Sequence, residues 1–304
     1  MKLAAIDIGS NAIRLQIAQV YDEDEEFISF KSLEYLRFPL RLGQDVFNEG
    51  KLSQATIAKF GKLMQTFHLL TQLYDVKASF AVATSAMREA ENGEDVRNLI
   101  HAMTGVDIQI ISGADEASIL NKAIIPYLSD RPSVHIDVGG GSTEVNLYRG
   151  KELVNGRSFK IGTVRKLNAE QRAGVFKEMD HWIKEGDFGK MKNVIGIGTG
   201  GNINRLYKLS SRSGKGAMSV VELRALRAYI KAFTLKQRHT ILKLNSDRAD
   251  VIIPAAEIYI HVLERVGADA ILVPRVGLKD GIVYELYERT SKRHINQLEY
   301  LSNF

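Results

Sequence analysis

The 304-residue chain contains no cysteine, one tryptophan and only five prolines. Without cysteine, disulfide bonds, thiolate metal sites and a cysteine nucleophile are excluded. No apolar run approaches the length of a membrane-spanning helix, and the N-terminus shows no basic segment followed by an apolar core and a cleavage site. We therefore expect a cytoplasmic protein that does not interact with a membrane.

The rest of the composition is that of a globular protein. Hydrophobic residues make up 45% and charged residues 25% of the chain, and its length favours two domains. A net charge of +5 permits attraction of a polyanion, but no nucleic-acid-binding motif accompanies it, so no nucleic acid is expected as a partner. The seven histidines form no close pair with ligand spacing. We interpret His135 as a core residue on the strand face opposite Asp137.

The most informative stretch is 133–148, SVHIDVGGGSTEVNLY. Alternating apolar residues flank three glycines, a pattern that predicts a β-hairpin. Glycines allow several backbone N–H groups to approach one anion. Asp137 and Glu144 flank the turn, and a carboxylate at the end of an apolar strand is costly unless it is paired or holds a cation. The stretch predicts a phosphate loop beside a divalent metal; the alternative is a tight hairpin with a satisfied aspartate.

A second stretch repeats this pattern at the N-terminus. AAIDIGSNAIRLQI aligns with VHIDVGGGSTEVNL at a fixed shift, which places Asp7 on Asp137 and Arg14 on Glu144, with a glycine two residues after each aspartate. Two related units in one chain indicate an internal duplication. Because Asp7 is the counterpart of Asp137, it joins the candidate metal ligands.

A third glycine-rich loop, at 198–202, follows the apolar strand that begins near residue 194. Its spacing does not match the dinucleotide-binding pattern, so a loop around a phosphate or a nucleoside is the better interpretation. Close packing between strand and helix is the alternative. The basic segment 208–216, which includes Arg212 and Lys215, is interpreted as either a solvated loop or a rim that binds a polyanion.

Two charged residues lie at strand-to-helix junctions. Arg88 follows the strand 80–83, where hydroxyls and an arginine commonly meet an anion, although it could equally pair with a neighbouring glutamate. Ser112 and Asp115 resemble a capping box, which leaves Glu116 in the first helical turn. There it could favour the helix dipole, or activate water as a base near a phosphate site.

Seven motifs, taken in order, resemble those of a known family. They are AIDIGSNAIRL, RLG at 41–43, ATSAMREA, IISGADEAS, HIDVGGGSTEV, GTVR at 162–165 and VGLKDGIVYEL. The chain is similar to the exopolyphosphatase and guanosine pentaphosphate phosphatase (Ppx/GppA) family of the actin-like ATPase superfold, in a short two-domain form. The resemblance runs from Ala4 to about Leu286.

The resemblance implies an α/β fold of two ribonuclease-H-like domains. Each would have a mixed five-stranded sheet flanked by helices, with the active site in the cleft between the domains. Domain I would span 1–127, with the first phosphate hairpin and the catalytic glutamate. Domain II would span 128–304, with the second hairpin and a last helix able to pack back on domain I.

The resemblance also implies a metal-dependent phosphoanhydride hydrolase. It would release terminal phosphate from inorganic polyphosphate, from guanosine pentaphosphate (pppGpp), or from both. Mg²⁺ is the implied cofactor, with Mn²⁺ as the alternative. An ATP-dependent kinase or ATPase of the same superfold, and a non-catalytic sensor of (p)ppGpp or polyphosphate, stay open, as does a homodimer.

The expected site residues follow from the resemblance together with the glycine loops. Glu116 and Arg88 are the expected catalytic residues, and Asp137, Glu144 and Asp7 are the expected metal ligands. The expected phosphate-binding positions are Ser10, Asn11, Gly139, Gly140, Gly141, Ser142, Thr199, Gly200, Gly201 and Asn202.

Three departures from the family pattern bear on the substrate. Ala12 stands where a hydroxyl residue is usual, and Asn202 replaces a common threonine. The helical, HD-type extension of longer family members is missing from this sequence. A short polyphosphate or pppGpp is therefore at least as plausible a substrate as long polyphosphate.

Overall fold

The computed structural model describes residues 1–22, 27–186, 191–210, 216–295 and 299–302. The chain forms two compact units, one of Met1–Pro126 with Val276–Phe304 and the other of Tyr127–Arg275. The observed change of unit lies within one residue of the predicted one. The predicted second domain, 128–304, included a last helix able to pack back on domain I, and in the structure the segment 276–304 groups with the first unit. Arg212 and Lys215 of the predicted basic loop lie outside the described residues.

The first unit is built on a mixed sheet with strand order β12-β3-β2-β1-β4-β5. Its strands are β1 (Lys2–Ile8), β2 (Ile13–Tyr21), β3 (Phe27–Phe38), β4 (Ala78–Ala83), β5 (Ile108–Ile110) and β12 (Glu299–Ser302). Its helices are α1 (Leu42–Glu49), α2 (Gln54–Leu73), α3 (Ser85–Glu89), α4 (Gly93–Thr104), α5 (Gly113–Ile124) and α12 (Leu278–Ser291).

Helices cover both faces of this sheet. Because side chains alternate along a strand, Ala4 and Ile6 point to one face, where they form a core with apolar residues of α1, α2 and α4. The other face is covered by α12, whose Tyr284 and Tyr287 pack on Phe30 with ring centroids 4.8 and 5.8 Å apart from it. This packing explains why the C-terminal segment belongs to the first unit.

The second unit has a mixed sheet with strand order β10-β11-β9-β6-β7-β8. Its strands are β6 (Ser133–Val138), β7 (Thr143–Arg149), β8 (Glu152–Phe159), β9 (Ile195–Thr199), β10 (Ala217–Ser219) and β11 (Ala270–Leu272). Its helices are α6 (Ala169–Glu185), α7 (Gly201–Leu209), α8 (Val220–Lys231), α9 (Leu235–Thr240), α10 (Ser246–Ala249) and α11 (Ile252–Arg265).

The core of the second unit follows the same alternation. Val134 and Ile136 of β6 belong to a buried apolar cluster that includes Trp182 of α6. The Trp182 ring meets Phe159 edge-on, with centroids 5.6 Å apart. The intervening strand positions, among them Asp137, face the other way and carry the polar residues of this unit's site.

The two sheets share one topology. Five strands run in the order β3-β2-β1-β4-β5 in one unit and β8-β7-β6-β9-β11 in the other; the first three are antiparallel and the rest parallel. This confirms the predicted α/β, ribonuclease-H-like fold. Within the described residues each sheet has six strands rather than five, because β12 and β10 extend it at one edge. In those same residues, no helix combines the length and apolarity needed to cross a membrane.

Candidate functional site

The two glycine hairpins have the same geometry, which confirms the predicted internal repeat. In the first, the Gly9 N–H donates to the Ala12 carbonyl at 3.2 Å; in the second, the Gly139 N–H donates to the Ser142 carbonyl at 3.0 Å. The flanking strands pair in matching register as well. Each hairpin therefore closes with the same turn bond and sets the residues beside it in equivalent places.

The second hairpin is held from one side by residues 162–165. The carbonyl oxygens of Gly139, Gly140 and Gly141 accept hydrogen bonds from this segment at 2.6 to 3.3 Å. No described peptide bond is cis, and in a trans peptide the N–H points opposite to the C=O of the preceding residue. The N–H groups of Gly140, Gly141 and Ser142 therefore point away from 162–165. Such a run of aligned N–H groups is suited to an anion.

The first hairpin is held in the same way by the segment 41–43. The Gly43 N–H donates to the Ser10 carbonyl at 2.8 Å, and the Arg41 N–H donates to the Asn11 carbonyl at 3.2 Å. The backbone of Arg41 is left-handed, with φ of 55°. A Cβ on Gly43 would lie 2.9 Å from the Ser10 Cβ, so glycine permits this close approach. These supports were missed by sequence reasoning; their only signal was the RLG and GTVR motifs.

The two acids of the second hairpin face each other across β6 and β7. Asp137 is the direct register partner of Glu144, so both carboxylates lie on one face of the sheet. The hydroxyls of Ser142 and Ser158 donate to Glu144 Oε1 at 2.7 and 2.8 Å, which orients this carboxylate. Two adjacent carboxylates repel each other unless a cation lies near. This all-oxygen donor set fits Mg²⁺, which commonly takes one or two protein carboxylates plus substrate phosphates.

The described residues contain no metal site with more protein ligands than the pair Asp137 and Glu144. Among them, no cluster of three or more histidine, aspartate or glutamate side chains is arranged to hold a metal ion. Asp7 has a different partner from Asp137: Arg14 Nη1 lies 2.5 Å from Asp7 Oδ2 in an ion pair. A protein cation thus already neutralises the third expected metal ligand.

The third glycine loop lies against Asp137. Gly200 has φ of 96°, a conformation that favours glycine, and a Cβ there would lie 2.7 Å from Asp137 Oδ1. Gly201 and Asn202 begin α7, and the Gly201 carbonyl accepts a hydrogen bond from Arg248. The structure therefore brings the loop at 199–202 and the acids of the second hairpin together within one unit.

The expected catalytic pair lies in the first unit. Arg88 Nη1 donates to the Ile111 carbonyl at 2.6 Å and lies 3.9 Å from Glu116 Oε2. Glu116 is only 8% exposed. One helical turn before Arg88 on α3, the Ser85 hydroxyl is 2.8 Å from the Ser10 hydroxyl. Helix α3 therefore connects the first hairpin to Glu116, and Ser85 is a neighbour that sequence reasoning missed, although its spacing from Arg88 could have indicated it.

Local capping separates the roles of two neighbouring acids. The Asp115 carboxylate accepts from the N–H and hydroxyl of Ser112 at 3.2 and 2.7 Å, as the predicted capping box requires. These hydrogen bonds, led by the one from the hydroxyl, lower the pKa of Asp115. Glu116, the next residue, lies outside the capping box and next to Arg88.

The interpretation of His135 was wrong in one respect. His135 is fully buried, but it lies two residues from Asp137 on β6 and therefore on the same face. Its register partner on β7 is Asn146. The sheet face that carries Asp137 and Glu144 therefore also carries a buried polar layer, formed by His135 and Asn146.

The fold and the site define a class, that of duplicated ribonuclease-H-like α/β proteins with one glycine hairpin in each unit. Within that class, the model of the Ppx/GppA phosphatase family matches residues 19–290, and the chain belongs to this family of hydrolases.

Relatives with assigned activities span much of the chain. The bifunctional 3-dehydroquinate synthase/phosphatase of Fusobacterium nucleatum is 29% identical over 296 residues, which cover 89% of this chain and 44% of that protein. Exopolyphosphatase 2 of Mycobacterium tuberculosis is 27% identical and is matched over 94% of this chain and 98% of its own length. The guanosine-5'-triphosphate,3'-diphosphate pyrophosphatase of Vibrio parahaemolyticus is 23% identical, over 96% of this chain and 60% of that protein. This chain thus corresponds to less than half of the first relative and to nearly all of the second.

A solved structure supports the fold. The exopolyphosphatase of Cytophaga hutchinsonii superposes with a TM-score of 0.79 at 22% sequence identity, over 96% of this chain and 98% of that one.

Proposed function

We propose that this protein is a metal-dependent phosphoanhydride hydrolase that releases terminal phosphate from inorganic polyphosphate, from pppGpp, or from both. Membership of the phosphatase family supports hydrolysis of a phosphate compound. The names of the M. tuberculosis and V. parahaemolyticus relatives support these two substrates in particular. Both are polyanions with a terminal phosphoanhydride, so the same site residues can bind and hydrolyse either compound.

The observation that carries the proposal is the orientation of the second glycine hairpin. Three successive carbonyls are held by 162–165, so the N–H groups of Gly140, Gly141 and Ser142 point to the opposite side. Backbone N–H groups oriented in advance stabilise the charge on phosphoryl oxygens without reorganising during the reaction. The Asn11 and Ala12 N–H groups of the first hairpin are oriented by the same kind of support.

The chemical step assigned to this chain is attack by water. The Glu116 carboxylate orients a water molecule and accepts one of its protons, while the water oxygen bonds to the terminal phosphorus. The anhydride bond breaks, the bridging oxygen leaves with the shortened chain or with ppGpp, and inorganic phosphate forms. In this proposal Arg88, which lies 3.9 Å from Glu116, would hold the transferred phosphoryl group. Because the transition state is loose, the positions of these groups matter more than the basicity of the glutamate.

Asp137 and Glu144 are the residues that would hold the divalent cation. Once bound there, Mg²⁺ would offset negative charge on the substrate oxygens. We assign no metal to Asp7, because Arg14 already pairs with it.

The direct test is a substrate panel. Phosphate release is measured with polyphosphates of graded length, pppGpp and ATP, each with Mg²⁺, with Mn²⁺ and with EDTA. We expect metal-dependent release from short polyphosphate or pppGpp. ADP formation from ATP without polyphosphate would support an ATPase instead. Tight binding of pppGpp or polyphosphate with no release under either metal would support a sensor and overturn the proposal.

A further inference from the structure

The strands β6 and β9 part at the entrance to two glycine loops. Their parallel pairing ends at Asp137 and Thr199. The corresponding pairing of β1 with β4 in the first unit continues one residue pair further. The second unit therefore lacks one backbone pair that the first unit has. The missing pair lies where β6 enters the loop 139–142 and β9 enters the loop 199–202.

The hydroxyl of Tyr259 occupies the place of this missing pair. Tyr259 is fully buried on α11, and its O–H donates to the Thr199 carbonyl at 2.5 Å. The same oxygen accepts the N–H of Val138 at 3.3 Å. Burial and then the nearby charge of Asp137 raise the pKa of the Tyr259 hydroxyl well above its ordinary value, so it keeps its proton and stays a donor. One hydroxyl thus connects the strand residues that precede the two loops.

His135 holds the side chain of the same threonine. His135 Nε2 lies 2.9 Å from Thr199 Oγ1, and Nδ1 lies 3.3 Å from the amide nitrogen of Asn146. An amide nitrogen can only donate, so Nδ1 is the acceptor and the ring proton is on Nε2, from which it is donated to Thr199. Burial lowers the pKa of His135 to about 3, so the ring is uncharged at neutral pH.

We propose that Tyr259 and His135 are positioning residues that keep the two glycine loops of the second unit in one fixed relation. Tyr259 joins the backbones that lead into the loops, and His135 fixes the Thr199 side chain at the start of one of them. Neither side chain is assigned a contact with the substrate: Tyr259 acts through the backbone that leads into the loops, and His135 acts through the side chain of Thr199. The inference rests on the proposed function, because it treats these loops as the phosphate-binding elements.

The substitution Tyr259→Phe removes one oxygen and retains the ring. Without the hydroxyl, the two loops lose their shared bond and move independently. Removing an outer-shell group that orients metal ligands typically costs about 10–100-fold in activity, and we expect a loss of similar size in kcat/KM, mainly in kcat. The matched control is Tyr148→Phe. Tyr148 is buried in the same unit, and its register partner is Ser133, at the end of β6 and β7 opposite the loop 139–142.

The experiment has two readouts. Phosphate release from tripolyphosphate with Mg²⁺ gives kcat and KM, and hydrogen–deuterium exchange follows residues 137–144 and 198–203. We expect Tyr259→Phe to lower kcat and to accelerate exchange in both segments, and Tyr148→Phe to do neither. His135→Gln, whose amide can still donate to Thr199, should keep most of kcat, whereas His135→Leu should not.

Each outcome decides one question. Wild-type kcat in Tyr259→Phe, or faster exchange in only one loop, would overturn the inference, as would equal effects of Tyr148→Phe. If Tyr259→Phe fails to fold, the comparison of His135→Gln with His135→Leu decides instead. The wild-type protein could release no phosphate while Tyr259→Phe still shows faster exchange in both loops. That result would support the positioning role and count against the proposed function.

Discussion

Arg14 Nη1 lies 2.5 Å from Asp7 Oδ2, in an ion pair that joins β1 to β2. At the equivalent place in the second unit, Asp137 faces Glu144 instead. At this position the duplicated strands therefore carry an aspartate–arginine pair in one unit and an aspartate–glutamate pair in the other. Under the proposed function, this difference assigns the cation site to the second unit, where two carboxylates face each other.

The first prediction concerns the metal requirement. Asp137→Asn and Glu144→Gln each remove one carboxylate from the proposed Mg²⁺ site, so the Mg²⁺ concentration that gives half-maximal phosphate release should rise by about 10–100-fold. Asp7→Asn should leave that concentration unchanged, because the Asp7 carboxylate is paired with Arg14. A Mg²⁺ titration of the three variants provides the check, and a higher requirement in Asp7→Asn alone would reverse the assignment.

The second prediction separates two adjacent acids. Glu116→Gln keeps the shape of the side chain but removes the base, so kcat should fall by about 10²–10⁴-fold while substrate still binds. Asp115→Ala removes the capping-box acceptor for Ser112 and should lower Tm with kcat retained. Initial rates, equilibrium binding of tripolyphosphate and thermal melts distinguish the two effects. Turnover at the wild-type rate in Glu116→Gln would exclude it from the reaction.

The third prediction concerns the contact between α5 and α12. A Cβ on Gly281 would overlap the backbone carbonyl of Ile119, which cannot move aside without shifting α5. Gly281→Ala should therefore lower the free energy of unfolding by about 1–3 kcal/mol. It should also reduce kcat, because Ile119 lies one turn after Glu116 in α5.

The matched control for Gly281→Ala is Gly174→Ala in α6. Nothing lies within 4 Å of a Cβ at Gly174. Removing a glycine from a helix interior should stabilise the protein by about 0.5–1 kcal/mol, with kcat unchanged. Urea unfolding of both variants is the measurement, and stabilisation by Gly281→Ala would contradict the packing argument.

The fourth prediction is a pH dependence of stability. Lys122 of α5 contacts Glu285 and Glu288 of α12, with Nζ 2.7 Å from Glu285 Oε2. Burial alone would raise the pKa of Glu285, but the hydrogen bonds from Lys122 and Arg289 outweigh it and lower that pKa. The contribution of Glu285 is therefore present above its ordinary pKa of 4.5 and is lost as the pH falls through the lower folded value.

Lys122→Met tests this interaction. The variant keeps the apolar stem, and its free energy of unfolding should be lower than that of the wild type by about 1 kcal/mol at pH 7. The difference should shrink below pH 4.5, where the wild type loses the interaction. Arg97→Met, which removes an exposed pair with Glu94, serves as control and should change stability little at either pH. A gap between Lys122→Met and wild type that is constant with pH would contradict the assignment to Glu285.

Local patterns predicted the local parts of the site. Period-two alternation around glycine identified both hairpins, and the Ser112–Asp115 spacing identified the cap that leaves Glu116 beside Arg88. The face of His135 was misjudged from the same pattern, since residues two apart on a strand share a face. The buried polar layer beneath the loops follows from the pairing of β6 with β7 and β9.

By itself, the sequence determined the duplication and the loops, because alternation, glycine turns and helix caps depend on residues within a few positions of each other. The α/β class followed from the resemblance of the motifs to a known family. Only the tertiary structure decided that 276–304 belongs to the first unit, that residues 41–43 and 162–165 hold the hairpins, and that Tyr259 connects Val138 with Thr199. The contact between Tyr259 and Val138 spans 121 positions of the chain. No local periodicity encodes such a contact; it exists only once packing has set the helix on the sheet.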